Sequence, residues 1–211
     1  MGMSEEIGRR YPREISLDDG QVPPGPQFLR VRPGGQPQVQ RVKLRLMEAA
    51  DKAVILQFAR ALPQEDILFL HSDITDPANA DEWITNIAKG TTLTLLAAPG
   101  ELAGYASLHV NPLRWTRRVG EVAINIAPEW RSRGLGEALC AEIVALARIL
   151  ELRKITAQMV ADHKNGRALF ERLGFHVEAL LPDWVEDREG HSRDLLLMAY
   201  EVRRAREQVA A

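Results

Sequence analysis

Apolar residues recur along this chain with two different periods, and each change of period marks an element. From Gln38 onward, Val42, Leu44 and Leu46 alternate with Arg41, Lys43 and Arg45, the period-two pattern of a strand. Met47, Ala50, Val54, Phe58 and Leu62 then recur at three- and four-residue spacing and Pro63 follows, which predicts an amphipathic helix over 47–62. A polar loop with Asp73, Asp76 and Pro77 leads to a second helix over 79–89, closed by Gly90. Three apolar segments, 91–98, 102–110 and 119–127, are joined by turns short enough to make them antiparallel neighbours. The stripe Leu135, Leu139, Ile143, Leu146 and Leu150 predicts a long helix over 134–151. A strand at 154–160, a short helix at 165–173 stopped by Gly174, and strands at 175–181 and 193–202 around a polar hairpin complete the pattern.

The order β, α, α, β, β, β, α, β, α, β, β is a mixed α/β layout in one domain, taken as residues 38–211. Residues 1–37 read differently. Pro12, Pro23, Pro24, Pro26, Pro33 and Pro37 fall there, six of the 15 glycines fall there, and the apolar residues have no period. This is expected to be an arm, either without fixed structure or draped over the core, whose Arg30 and Arg32 with Arg41 form a candidate docking cluster.

Composition narrows the function classes. The 27 Lys and Arg against 29 Asp and Glu give a net charge of −2, which supplies no global field for a polyanion, so nucleic acid is not an expected partner. The single cysteine, Cys140, gives no internal disulfide and no metal-finger spacing. No apolar run approaches the roughly 18 residues needed to cross a bilayer, and no secretory leader pattern opens the chain. A cytoplasmic protein with no membrane partner and no metal is therefore expected.

The stretch Val119 to Ala138, VGEVAINIAPEWRSRGLGEA, carries the chemistry. A strand feeding a glycine-rich turn at a helix N-terminus offers free N–H groups and the positive end of a helix dipole, which together suit a phosphate. Gly134 and Gly136 allow close backbone approach, and Arg131 and Arg133 add charge. The bland alternative is a glycine turn that only rounds a corner. Neither GxxxxGK[ST] nor GxGxxG after a first strand is present. The stretch resembles motif A of the GNAT superfamily of acetyl-CoA-dependent N-acetyltransferases, (Gln/Arg)-x-x-Gly-x-(Gly/Ala), matched by Arg131, Gly134 and Gly136, with Pro128 and Trp130 before it. A second block, NGRALFERLGF, is similar to a later family block through Gly166, Phe170, Gly174 and Phe175. The resemblance covers about residues 38–202.

That resemblance implies a GNAT fold, with a mixed central sheet of about seven strands, a splayed central pair and four flanking helices. It also implies transfer of an acetyl group from acetyl-CoA to a primary amine: a small molecule or amino acid, a protein N-terminus or a lysine. A homodimer is a further expectation. Residue by residue, the main chain of Ile124, Asn125 and Ile126 would pair with the pantetheine arm, and Ser132, Arg133, Gly134, Leu135, Gly136 and Glu137, with Arg131 leading the motif, would hold the pyrophosphate. The N–H of Ile126 would polarise the acetyl carbonyl. Glu121 is the candidate general base, with a solvent-facing strand residue as the alternative. The family's usual tyrosine acid is replaced by Phe170, which has no proton to donate; His163 occupies the slot of a cofactor-contacting asparagine, and Asn165 is the candidate cap of the short helix. Phe170, His163 and Asn165 complete the expected cofactor set. The loss of the phenol motivates a rival reading, a non-catalytic acyl-CoA sensor. The hairpin with Asp183, Trp184, Glu186 and Asp187, and the loop with His71 and Asp73, would flank the acceptor.

Overall fold

The computed structural model describes residues 3–17, 40–67, 73–112, 115–187 and 190–202. Its strands are β1 (Arg13–Leu17), β2 (Gln40–Leu46), β3 (Thr92–Ala98), β4 (Gly104–Val110), β5 (Val119–Ile126), β6 (Lys154–Val160), β7 (His176–Glu186) and β8 (Ser192–Glu201). Its helices are α1 (Met3–Arg10), α2 (Lys52–Ala61), α3 (Gln64–Ile67), α4 (Pro77–Ala88), α5 (Leu135–Ile149) and α6 (Lys164–Arg172). The strands form one sheet in the order β1-β2-β3-β4-β5-β6-β8-β7. Every neighbouring pair is antiparallel except β5 and β6, which are parallel because α5 crosses between them.

The sheet is mixed, as expected, with one strand more than the seven anticipated. The extra strand lies in the segment read as an arm. Arg13–Leu17 carries only Ile15 and Leu17 as apolar positions, too few to signal a strand alone, and it forms by pairing with β2. Helix α1 adds Ile7, and Tyr11 follows it into the main core. The contact that fixes this segment is polar. Glu142 of α5, only 7% exposed, accepts from Arg10 Nε at 2.9 Å and Tyr11 Oη at 2.7 Å, and Arg13 Nη1 lies 2.9 Å away. Arg30 and Arg32 lie outside the described residues.

Removing this carboxylate leaves two cations and a buried phenol without an acceptor. Because Arg10 and Arg13 keep 32% and 39% of their side chains exposed, water can rescue them in part. Glu142→Ala is therefore expected to lower stability by about 2 kcal/mol, less than a fully buried pair would lose. A lower urea midpoint at unchanged slope is the measurement that shows it.

Two other boundaries differ from the periodicity. The helix expected from Met47 begins at Lys52, after a 3₁₀ turn at Ala49–Asp51. Asp51 accepts from the Glu48 N–H at 2.8 Å and from both terminal nitrogens of Arg45 at 2.7 and 2.6 Å, which tightens that turn. The Arg45 guanidinium also holds the Asp51 carboxyl below the usual carboxylate range. Strand β7 runs five residues beyond its expected end at Leu181, through a bulge between Leu181 and Val185 where Asp183 takes φ 52°. The polar hairpin shrinks accordingly to the turn after Glu186.

Each face of the sheet has its own core. Leu139, Ile143 and Leu146 of α5 pack on Leu108, Val122, Ile155 and Met198. On the other face Ile55 and Phe58 of α2, with Trp83 of α4, cover Leu96 and Tyr105. Cys140 is buried within the first core, where burial pushes its thiol up to about 12, so it carries no nucleophilic thiolate near neutral pH. Among the described residues no helix is long and apolar enough to cross a membrane.

Candidate active site

Strands β5 and β6 pair only from Val119–Glu121 to Lys154–Thr156. Beyond that point they part. β5 keeps its outer partner β4 as far as Ile126, opposite Gly104, and β6 keeps β8 as far as Val160, opposite Leu195. The main-chain groups of residues 122–126 that point towards β6 therefore meet no strand, and a cleft opens at the carboxyl ends of this parallel pair, the usual position of a ligand crevice in such sheets. Ile124 and Ile126 are half-buried along it, while Asn125 is 8% exposed and points to the face covered by α2 and α4. Gly104 is required here: a Cβ would sit 2.7 Å from the Asn125 carbonyl oxygen.

The glycine-rich turn lies at the end of β5. A 3₁₀ turn at Pro128–Trp130 and two left-handed residues, Ser132 at φ 59° and Gly134 at φ 80°, lead from β5 into α5. The first N–H groups of α5 have no intrahelical acceptor and open on this side. The two glycines differ. A Cβ on Gly134 would meet nothing within 4 Å, whereas one on Gly136 would press on Leu169 of α6 at 3.2 Å. Gly134 thus faces open space at the turn, and Gly136 lets α6 approach α5. Leu135 is buried, so it offers the cradle main chain alone.

The charged side chains of the motif are engaged in the fold. Arg131 Nε donates to the Ile126 carbonyl at 3.1 Å and its guanidinium pairs with Asp66 of α3, tying the end of β5 to the opposite face. Arg133 lies over the Trp130 ring at 5.2 Å and donates to Gln40 Oε1 at 3.1 Å. Glu137 accepts from Arg172 Nε at 3.0 Å. Anion binding at this turn would rest on main-chain N–H groups and the helix dipole first.

Glu121 is half-buried on β5, level with Thr156 of β6 and His109 of β4. By strand alternation it shares a face with Ala123 and Asn125. The exposed Gln158 continues the Thr156 row along β6, a polar position that the apolar run around it had concealed. His163 is exposed and precedes α6, with its ring folded over Gly166, where a Cβ would meet Nδ1 at 2.6 Å. His163, not Asn165, takes the N-cap position; Asn165 is exposed within the first turn. Phe170 is buried, edge-on to Phe175 with centroids 4.9 Å apart.

The acidic lips are occupied too. Asp187 accepts from the His191 N–H at 2.8 Å and from Arg193 Nε at 3.2 Å, closing the β7–β8 turn. Asp73 accepts from the Thr75 N–H at 2.9 Å, and His71 lies outside the described residues. Trp184 is 65% exposed on β7. Among the described residues no group of three or more His, Cys, Asp or Glu could hold a metal ion.

A mixed sheet whose parallel pair separates beside a left-handed glycine turn is matched by solved acetyltransferases. The chain belongs to the acetyltransferase (GNAT) family, whose sequence model matches residues 56–175, and it is an acyltransferase. It is 29% identical over 126 residues to the L-methionine sulfoximine/L-methionine sulfone acetyltransferase of Pseudomonas aeruginosa, covering 58% of this chain and 73% of the relative. Its fold matches a GNAT superfamily phosphinothricin acetyltransferase from Sinorhizobium meliloti, solved in complex with AcCoA, at TM-score 0.65 and 24% identity, over 76% of this chain and 88% of that one. It also matches a ribosomal-protein-alanine N-acetyltransferase from Brucella melitensis at TM-score 0.66 and 24% identity, over 75% and 98% of the two chains.

Proposed function

We propose that this enzyme moves an acetyl group from acetyl-CoA to the primary amine of a small amino-acid-like acceptor, by direct transfer. The observation that carries this is the separation of β5 from β6 beside Gly134, which leaves strand-like main chain and helix N–H groups facing one cleft. The amino-acid acceptor is supported by the relative that acetylates L-methionine sulfoximine and sulfone.

The residues fit the cofactor. The main chain of Ile124, Asn125 and Ile126 would pair with pantetheine, and the N–H groups from Ser132 to Glu137 would receive the pyrophosphate at the open side of Gly134. His163, Asn165 and Phe170 would border the cofactor from the start and inner face of α6. Acetyl-CoA, when bound, supplies an activated acetyl thioester. The Ile126 N–H would stabilise negative charge developing on the acetyl oxygen. Attack requires a neutral amine, and Glu121 would accept its proton directly or through water. Phe170 has no proton for the departing thiolate, which is a fair leaving group without one.

Calorimetric titration with acetyl-CoA, followed by an amine panel spanning methionine sulfone, polyamines and alanine-terminated peptides, tests the reading. Micromolar binding and acetylation of the amino-acid members are expected. Binding without turnover of any amine would favour the sensor reading motivated by Phe170, and no binding would remove both.

A further inference from the structure

Tyr105 of β4 lies between the end of β5 and the helices that cover this face of the sheet. It sits opposite Asn125 in the β4–β5 register, and its phenolic oxygen accepts from Asn125 Nδ2 at 2.8 Å. Asn125 is flanked by the two residues, Ile124 and Ile126, whose main chain faces the cleft. On its other sides the Tyr105 ring meets the helices of the opposite layer. Phe58 of α2 packs edge-on with centroids 5.9 Å apart, and Trp83 of α4 lies at 5.0 Å and 59°. Trp83 is itself pinned, since Nε1 donates to Thr94 Oγ1 at 2.9 Å, and Thr94 shares a hydrogen bond with Ser107.

Tyr105 is 2% exposed, and burial raises its phenol above the ordinary range, so the ring holds its hydroxyl neutral and fixed. A buried amide such as that of Asn125 is costly to leave without its partner. Movement of the end of β5 therefore must carry Asn125, Tyr105 and the Trp83 ring together, or break this hydrogen bond.

We infer that Tyr105 is a positioning residue for acetyl transfer: through Asn125 it sets where the cofactor-facing end of β5 stands relative to α2 and α4, the helices that cover that face of the sheet. The inference rests on the acetyl-transfer reading above. A misplacement of the reacting groups by about 1 Å can lower a rate about 100-fold, so a single internal hydrogen bond at this junction has leverage on turnover.

Tyr105→Phe keeps the ring and removes the acceptor oxygen. It is expected to lower kcat about ten-fold and raise the acceptor KM, while acetyl-CoA binding measured by calorimetry changes less than about two-fold. Tyr11→Phe, which removes a buried hydrogen bond to Glu142 on the other face of the sheet, is the control expected to leave these constants unchanged. A second readout needs no acceptor. In a background with Trp115→Phe, Trp130→Phe and Trp184→Phe, where Trp83 is the remaining tryptophan, saturation with acetyl-CoA is expected to change its emission, and the change should vanish with Tyr105→Phe. If Tyr105→Phe binds acetyl-CoA, turns over like wild type and keeps the emission change, or if it only loses stability as Tyr11→Phe does, the inference is overturned while the transfer reading stands. No acetyl-CoA binding by the wild type would overturn the transfer reading itself, and this inference with it.

Discussion

Glu121→Gln is expected to lower kcat for acetyl transfer about 100-fold or more at neutral pH, the usual scale for a positioned general base. The substitution conserves shape, and Glu121 stands where β5 and β6 still pair, so the sheet should not respond. Acetyl-CoA affinity should also hold, because the carboxylate lies on the α2 and α4 side and the cradle lies beyond the end of β5. Loss of kcat with an unchanged acetyl-CoA dissociation constant places the residue in the chemical step. The opposing result is equally plain: full turnover in Glu121→Gln would make the carboxylate an ordinary strand residue and leave the proton to a water held by the row of Thr156 and Gln158.

Gly134→Glu should weaken acetyl-CoA binding about 100-fold or more, since like-charge juxtaposition at a binding surface opposes association by several kcal/mol. The protein should remain folded. Nothing lies within 4 Å of a Cβ at this position, so the penalty is the left-handed backbone at φ 80°, about 1–2 kcal/mol. Gly134→Ala carries the same backbone penalty without the charge and separates the two effects. Gly136→Glu is the poorer probe, because its Cβ presses on Leu169 and would disturb the α5–α6 packing whether or not a pyrophosphate binds. Titration of both Gly134 variants, with unfolding curves alongside, decides the matter. Tight binding by a folded Gly134→Glu protein would place the cofactor phosphates elsewhere.

Local chemistry in the sequence determined much of this protein. The long helix α5 was legible because Leu139, Ile143 and Leu146 must all face one core, and the β3, β4 and β5 strands because apolar runs between short turns have few other solutions. The glycine turn before α5 was legible because the left-handed residue that precedes the helix favours glycine at 134. Interactions between residues far apart in the chain were decided only in three dimensions. β1 exists because β2 offers it an edge and Glu142, over 130 positions away, holds its neighbours, and no periodicity in REISL could announce that. Arg131, Arg133 and Glu137 look in sequence like an anion site, yet each finds a partner within the fold. Asp187 looks like a substrate contact and instead closes its own turn. Tyr105 looks like one more apolar strand residue, and only the packing of two helices and one amide around its ring gives it a place beside the site. Periodicity records which face a residue presents, and the tertiary structure alone supplies what that face meets.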